Sequence, residues 1–249
     1  VSFSEKIRKT AEANRSRTVL ALDLEEHDPK QLAIKSEKLL QKVGKRICAV
    51  KINRQLVMSL GMRGGVDRVV ELAHDLALPA IMDAKLNDVG HTNEFMARSF
   101  FDIGFDAIIA SPVVGWENGL DRVFAQANSR GRAVILLVYM SNPGAEAFYS
   151  LVGVQGGEPP KPVFELLAGM AVQWKAQGVV VGATKPEVIS RVRELVGPGM
   201  GIYSPGVGAQ GGDPRQALDA GSTYIIVGRT IYGSAEPEKA AMEFQGLVS

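Results

Sequence analysis

Eight short apolar runs, rich in β-branched residues, recur at even spacing along the chain: residues 18–23, 48–52, 80–85, 106–110, 133–138, 178–181, 201–203 and 223–227. They are nearly continuous in apolar character rather than alternating, as parallel strands covered on both faces are. Between them lie stretches with helical periodicity. In 31–43 the apolar positions are Leu32, Ile34, Leu39 and Leu40; in 163–177 they are Phe164, Leu166, Leu167, Met170, Ala171 and Trp174. Residues 185–195 and 237–247 read the same way. Strand–helix alternation repeated eight times predicts an α/β fold, a (β/α)8 TIM barrel, rather than an open doubly wound sheet. No linker or shift in composition interrupts the pattern, so residues 1–249 are expected to form a single barrel domain with its active site at the C-terminal ends of the strands.

Polar residues interrupt the apolar runs at their ends. The third run closes on Asp83 and Lys85, with Asp88 three residues on. Side chains alternate along a strand, so Asp83 and Lys85 are expected to share the inward face with Ile81. The first run ends in Asp23, in phase with Ala21, and the second carries Lys51, in phase with Ala49. Three consecutive strands thus bring Asp, Lys and an Asp-Lys pair to one rim. Burying that many charges has a cost that core stability does not require, which points to chemistry rather than to a structural ion pair. A lysine between carboxylates holds its proton and suits proton donation better than nucleophilic attack. Further along, residues 204–214 are glycine-rich and the last run leads into Gly228 and Arg229. In barrels the loops after strands seven and eight form the common phosphate site, and an arginine offers phosphate a bidentate fork. The long connection 141–162 follows strand five on the same face and is expected to be functional.

Composition narrows this picture. With 28 basic against 27 acidic residues, bulk charge points to neither a nucleic-acid nor a membrane partner, so any anion site must be local. Cys48 is the one cysteine, which suits a reducing cytoplasm and reads as a small buried strand residue. The three histidines, His27, His74 and His91, form no cluster with metal-ligand spacing, so no metal site is expected. No apolar run approaches the length of a membrane span, and residues 1–17 are charged and helical in pattern, unlike a signal peptide.

Taken together, residues 83–88 (Asp-x-Lys-x-x-Asp), 89–92, 140–145, 181–186, 204–214 and 226–232 closely resemble segments of the orotidine 5′-monophosphate decarboxylase family, across Leu20 to Tyr232. The resemblance implies decarboxylation of orotidine 5′-monophosphate to UMP, the last step of de novo pyrimidine nucleotide synthesis, without metal or cofactor. It implies a homodimer with sites at the interface. Lys85 would protonate C6 and Asp83 would sit by the substrate carboxylate. Asp23 and Lys51 would contact ribose, and Asp88 and Thr92 would reach the partner's site. Ser141 would bond the pyrimidine, Pro205 would line the pocket, Gln210 would close on the nucleotide, and Gly228 with Arg229 would hold phosphate. His91 departs from the family pattern; it either touches substrate or merely begins the helix at Thr92, and the second is expected. Residues 111–116 are expected to pack the barrel mouth, and Trp174 to be core. The alternatives are a Mg-dependent sugar-phosphate decarboxylase or aldolase of the same superfamily, opposed by Lys51, Ser141 and Gln210, and a catalytically dead nucleotide-binding barrel.

Overall fold

A computed structural model describes residues 1–153 and 159–247. Eight parallel strands close into a barrel: β1 (Thr18–Ala21), β2 (Ala49–Asn53), β3 (Ala80–Leu86), β4 (Ala107–Ala110), β5 (Ala133–Tyr139), β6 (Gly178–Val181), β7 (Gly201–Pro205) and β8 (Tyr224–Val227). Closure is made by β1 on β8, with Thr18 opposite Ile225 and Leu20 opposite Val227. An N-terminal helix, α1 (Phe3–Ala13), precedes the barrel. One principal helix then follows each strand: α2 (Pro29–Val43), α3 (Asp67–Asp75), α4 (Gly90–Asp102), α5 (Asp121–Ser129), α6 (Val163–Gln173), α7 (Pro186–Val196), α8 (Pro214–Asp219) and α9 (Pro237–Gln245).

Strand alternation divides the core in two. Leu20, Val50, Met82, Ile108, Leu136 and Val179 face the helices. Val19, Ala49, Ile81, Ile109, Leu137 and Ile226 fill the interior. α1 stoppers the N-terminal end of that interior with Phe3 and Ile7, both buried; Phe3 meets the ring of Tyr203 at 6.5 Å, and Tyr203 stacks on Tyr224 at 5.0 Å. Burying two such side chains contributes about 1.5–3 kcal/mol each.

Several boundaries differ from the sequence reading for local reasons. α2 starts at Pro29 because Asp28 caps it, its carboxylate accepting from the Lys30 N–H at 2.9 Å. α6 stops at Gln173, and Lys175 then takes φ +58°. Trp174 is therefore a partly buried cap residue rather than full core, with its ring 5.3 Å from Trp116 and 6.4 Å from Phe124. That contact is where the 111–116 segment packs. α4 begins at Gly90, not Thr92, so His91 lies in its first turn, exposed, beside the Thr92 hydroxyl at 3.3 Å. The 141–162 connection carries a short helix (Glu146–Tyr149) and a two-residue ladder, Val152–Gly153 on Lys161–Pro162; residues 154–158 of that expected functional loop lie outside the described residues.

Candidate active site

The C-terminal ends of the strands surround a cavity of about 370 Å³. Asp23, Lys51, Asp83, Lys85, Ser141, Pro205, Gln210, Gly228 and Arg229 all line it. One wall is a chain of charges. Lys51 Nζ lies 2.9 Å from Asp83 Oδ2 and 3.7 Å from Asp23 Oδ1, and Lys85 Nζ lies 2.7 Å from Asp83 Oδ1. Burial works against the Lys51 ammonium, but Asp83 and Asp23 outweigh it and raise its pKa. Burial likewise works against the Asp83 carboxylate, but Lys51 and Lys85 prevail and hold its pKa down to about 2. The 3.7 Å separation is too long for a hydrogen bond, and Asp23 Oδ1 is buried with no hydrogen-bond partner among the described residues. An acceptor in that state is suited to a ligand hydroxyl.

The route by which Lys85 reaches the mouth is not plain alternation. The β3–β4 register slips between Met82, opposite Ile108, and Leu86, opposite Ala110. Four residues of β3 thus advance against two of β4, and Lys85 takes φ +44°. The bulge re-aims Lys85 at Asp83 while Ala84 packs outward. A left-handed lysine costs on the order of 1–2 kcal/mol, strain of the kind that gathers at functional sites. Asp23 lies two residues beyond β1, kept in line because the Leu22 N–H still donates to the Lys51 carbonyl at 2.9 Å.

The opposite wall has the features of an anion cradle. Gly206 takes φ +93°, and a Cβ there would lie 2.7 Å from the Ser141 Cβ; Gly208 takes φ +70°, and a Cβ would meet the Thr230 hydroxyl at 2.5 Å. Only glycine lets this loop press against both neighbours. The loop closes on itself through Gly208 N–H to the Gly212 carbonyl (2.9 Å) and Gly212 N–H to the Gly206 carbonyl (3.0 Å). Arg229 is exposed, and its guanidinium has no hydrogen bond or ion pair among the described residues. A free fork and a glycine loop face two ammonium groups across a cavity sized for a small molecule.

Asp88 and Thr92 stand apart. Neither lines the cavity; Asp88 is exposed, and its carboxylate accepts the Val89 N–H at 2.7 Å. Asn93, which the sequence reading passed over, fixes this turn. Fully buried, it accepts the Asp88 N–H at 3.1 Å and donates to the carbonyls of Asp88 and Gly119. Asn142 and Tyr232 also line the cavity unannounced. Their signal was adjacency: Asn142 follows Ser141, and Tyr232 is one helical turn after Gly228. Among the described residues no group of three His, Cys, Asp or Glu side chains is placed to hold a metal ion, and no helix is long and apolar enough to cross a membrane. Cys48 is buried, as a small strand-edge residue should be.

Comparison with known proteins gives the family and the fold. Residues 16–244 match the family model described as "Orotidine 5'-phosphate decarboxylase / HUMPS family". Orotidine 5′-phosphate decarboxylase of Thermococcus kodakarensis is 34% identical over 91% of this chain and 93% of its own, and that of Methanosarcina mazei 33% over 90% and 91%. Among solved structures, orotidine 5′-monophosphate decarboxylase of Methanocaldococcus jannaschii, complexed with the inhibitor BMP, superimposes with a TM-score of 0.78 at 28% identity, covering 94% of this chain and 99% of that one. The chain belongs to the orotidine 5′-phosphate decarboxylase / HUMPS family.

Proposed function

We propose that this chain is a carbon–carbon lyase that converts orotidine 5′-monophosphate to UMP at the barrel mouth. The observation that carries this reading is the Lys51–Asp83–Lys85 charge chain facing an unpaired Arg229 across one cavity. Phosphate binds the glycine loop and Arg229, ribose hydroxyls meet Asp23 and Lys51, and Ser141 and Gln210 contact the nucleotide. The C6–carboxylate bond breaks with its electron pair left on C6, CO₂ departs, and a proton passes from Lys85 Nζ to C6. The lysine is then reprotonated from solvent. That carbanion has no adjacent electron sink, so the site must lower the barrier by about 20 kcal/mol or more, near the top of the known range. A preorganised ammonium supplies part of this, because it already points where charge develops. Asp83 stays ionised as the substrate carboxylate approaches, and their repulsion is relieved as CO₂ leaves. Remote phosphate binding contributes by ordering the glycine loop over the nucleotide. A divalent cation would have to displace Lys51 from Asp23 and Asp83. The decisive assay is loss of ultraviolet absorbance when the protein meets orotidine 5′-monophosphate in EDTA. Rapid conversion is expected, and no conversion by folded protein would overturn the reading.

The same reading includes a homodimer. Met58, Val89, Phe95 and Val113 are exposed apolar side chains, and Val89 and Phe95 flank the turn that carries Asp88 and Thr92. Apolar exposure of this kind marks an interaction surface, and a two-fold contact through it would carry Asp88 and Thr92 toward a neighbouring mouth. Mixing inactive Lys85→Ala and Asp88→Ala chains, unfolding and refolding them together, is expected to recover activity that neither has alone. Recovery no greater than in the separate chains would remove the shared site.

A further inference from the structure

At the other end of the barrel, the turn after α1, the approach to β8 and the end of α9 enclose an open cleft of about 1060 Å³. Four arginines line it, Arg8, Arg15, Arg17 and Arg46, with Glu12 as the lining carboxylate. The whole chain carries a net charge of +1, so the concentration is local. Arg8 is paired with Glu12 at 2.6 Å and Arg46 with Glu238 at 3.1 Å. Arg15 and Arg17 are exposed, and neither guanidinium has a hydrogen bond or ion pair among the described residues.

The backbone that carries these two is held firmly. Asn14 Nδ2 donates to the carbonyls of Gly44 (3.1 Å) and Ile47 (2.8 Å), and the Gln245 amide donates to the Asn14 carbonyl. The Arg15 N–H bonds the Glu12 carbonyl at 3.2 Å with Arg15 at φ +47°. Ser16 is fully buried, its hydroxyl accepting the Thr18 N–H at 3.1 Å, and the Arg17 carbonyl accepts from the Ile225 N–H at 3.0 Å. Two unpaired guanidinium groups two residues apart on a fixed turn line the same cleft and add to one local positive field, which an anion bound there would meet. Their planar forks suit phosphoryl oxygens, and carry less entropy cost per bond than flexible ammoniums do. The site is a concavity of small-molecule size rather than an extended basic stripe, which favours a compact ligand over a nucleic-acid strand.

We propose that this cleft is a second anion site, remote from the barrel mouth, that takes a small molecule bearing two or more phosphoryl groups, with Arg15 and Arg17 as its principal forks and Arg8 and Arg46 adding field. The test is calorimetric titration with inorganic tripolyphosphate at low ionic strength. The mouth is filled with saturating UMP, whose own binding is measured separately so that failure of the mouth assignment is distinguishable, and the titration is repeated in Arg229→Ala without UMP. One tripolyphosphate per chain is expected, with affinity falling roughly tenfold per arginine removed in Arg15→Ala/Arg17→Ala, since a charged hydrogen-bonded pair is worth about that factor or more. In the otherwise native chain the double variant keeps its decarboxylation rate and thermal midpoint. No binding with the mouth blocked, or equal affinity in the double variant, overturns the site. Affinity for single-stranded oligonucleotides that rises with length beyond that for tripolyphosphate overturns the small-molecule assignment in favour of nucleic acid.

Discussion

Two buried aspartates lie near opposite ends of the barrel, and they look alike by charge. Asp83, at the C-terminal end of β3, is 9% exposed; Asp106, just before β4, is 1% exposed. Both are pushed upward by burial and pulled down to about 2 by their partners, Lys51 and Lys85 for Asp83, His74, the Ala80 N–H and Lys6 for Asp106. The difference lies in what the partners do. Asp106 accepts from four donors: Lys6 Nζ at 2.9 Å, Arg132 Nη1 at 2.6 Å, His74 Nε2 at 2.9 Å and the Ala80 N–H at 3.0 Å. Those donors belong to α1, α3, the approach to β5 and the start of β3, so the carboxylate staples four segments of the barrel floor. Asp83 accepts from two ammoniums, and both open onto the cavity with protons to spare. A depressed carboxylate pKa therefore marks a paired buried acid of either kind. Donors left over and facing an enclosed space separate chemistry from structure.

The strongest way to break this comparison is Lys85→Ala. Removing a preorganised charge costs about 10²–10³ in rate and removing a general acid about 10²–10⁴, so turnover is expected to fall by at least roughly 10⁴-fold. Lys51 still pairs Asp83 at 2.9 Å, and an alanine Cβ carries the same left-handed backbone strain at residue 85 as the lysine did, so the urea midpoint is expected to move little. If turnover persisted in the folded variant, the mouth would be as structural as the floor. Asp106→Asn is the converse. It keeps the shape but withdraws the charge from Lys6 and Arg132, both of which solvent can still reach, and losing charged hydrogen bonds of this kind costs about 1.5–3 kcal/mol. Stability should drop by that order while kcat/KM of the folded protein stays at the native value; a variant that lost activity without losing stability would reverse the two roles.

The floor and the mouth were unequally legible in the sequence. Eight apolar runs gave the strands because a covered parallel sheet needs continuous apolar segments, and that signal is local. Asp23, Lys51, Asp83 and Lys85 stood out because charges interrupting such runs are costly. The floor cluster stayed hidden. Lys6 lies 100 residues from Asp106 and His74 lies 32, and each is ordinary in its own segment. The bulge at Lys85 was hidden for a different reason, since strict alternation gives the same inward assignment by another path. Asn93 was lost within a helical pattern, where a polar residue reads as solvent-facing. Trp174 read as core because periodicity runs on past the point where the backbone at Lys175 ends the helix.

A smaller effect sharpens the comparison through pH. A carboxylate whose folded pKa lies below its unfolded value stabilises the fold above the unfolded pKa, and that contribution fades as pH falls toward the folded one. For Asp106 the window runs from the ordinary value of 3.8 down to about 2. At 1.36 kcal/mol per pH unit the linked stability is about 2 kcal/mol, a figure of order-of-magnitude standing. Asparagine has no proton to take up. The stability gap between the native chain and Asp106→Asn, read from urea midpoints, should therefore narrow by about 2 kcal/mol between pH 5 and pH 2, below the range in which imidazoles titrate. Asp106→Asn retains the linkage at Asp83, so acid should still weaken it, but by less than it weakens the native chain over that window. A gap that stayed constant would mean that Asp106 enters the fold without its charge, and the floor would then be held by hydrogen bonds rather than by ion pairs.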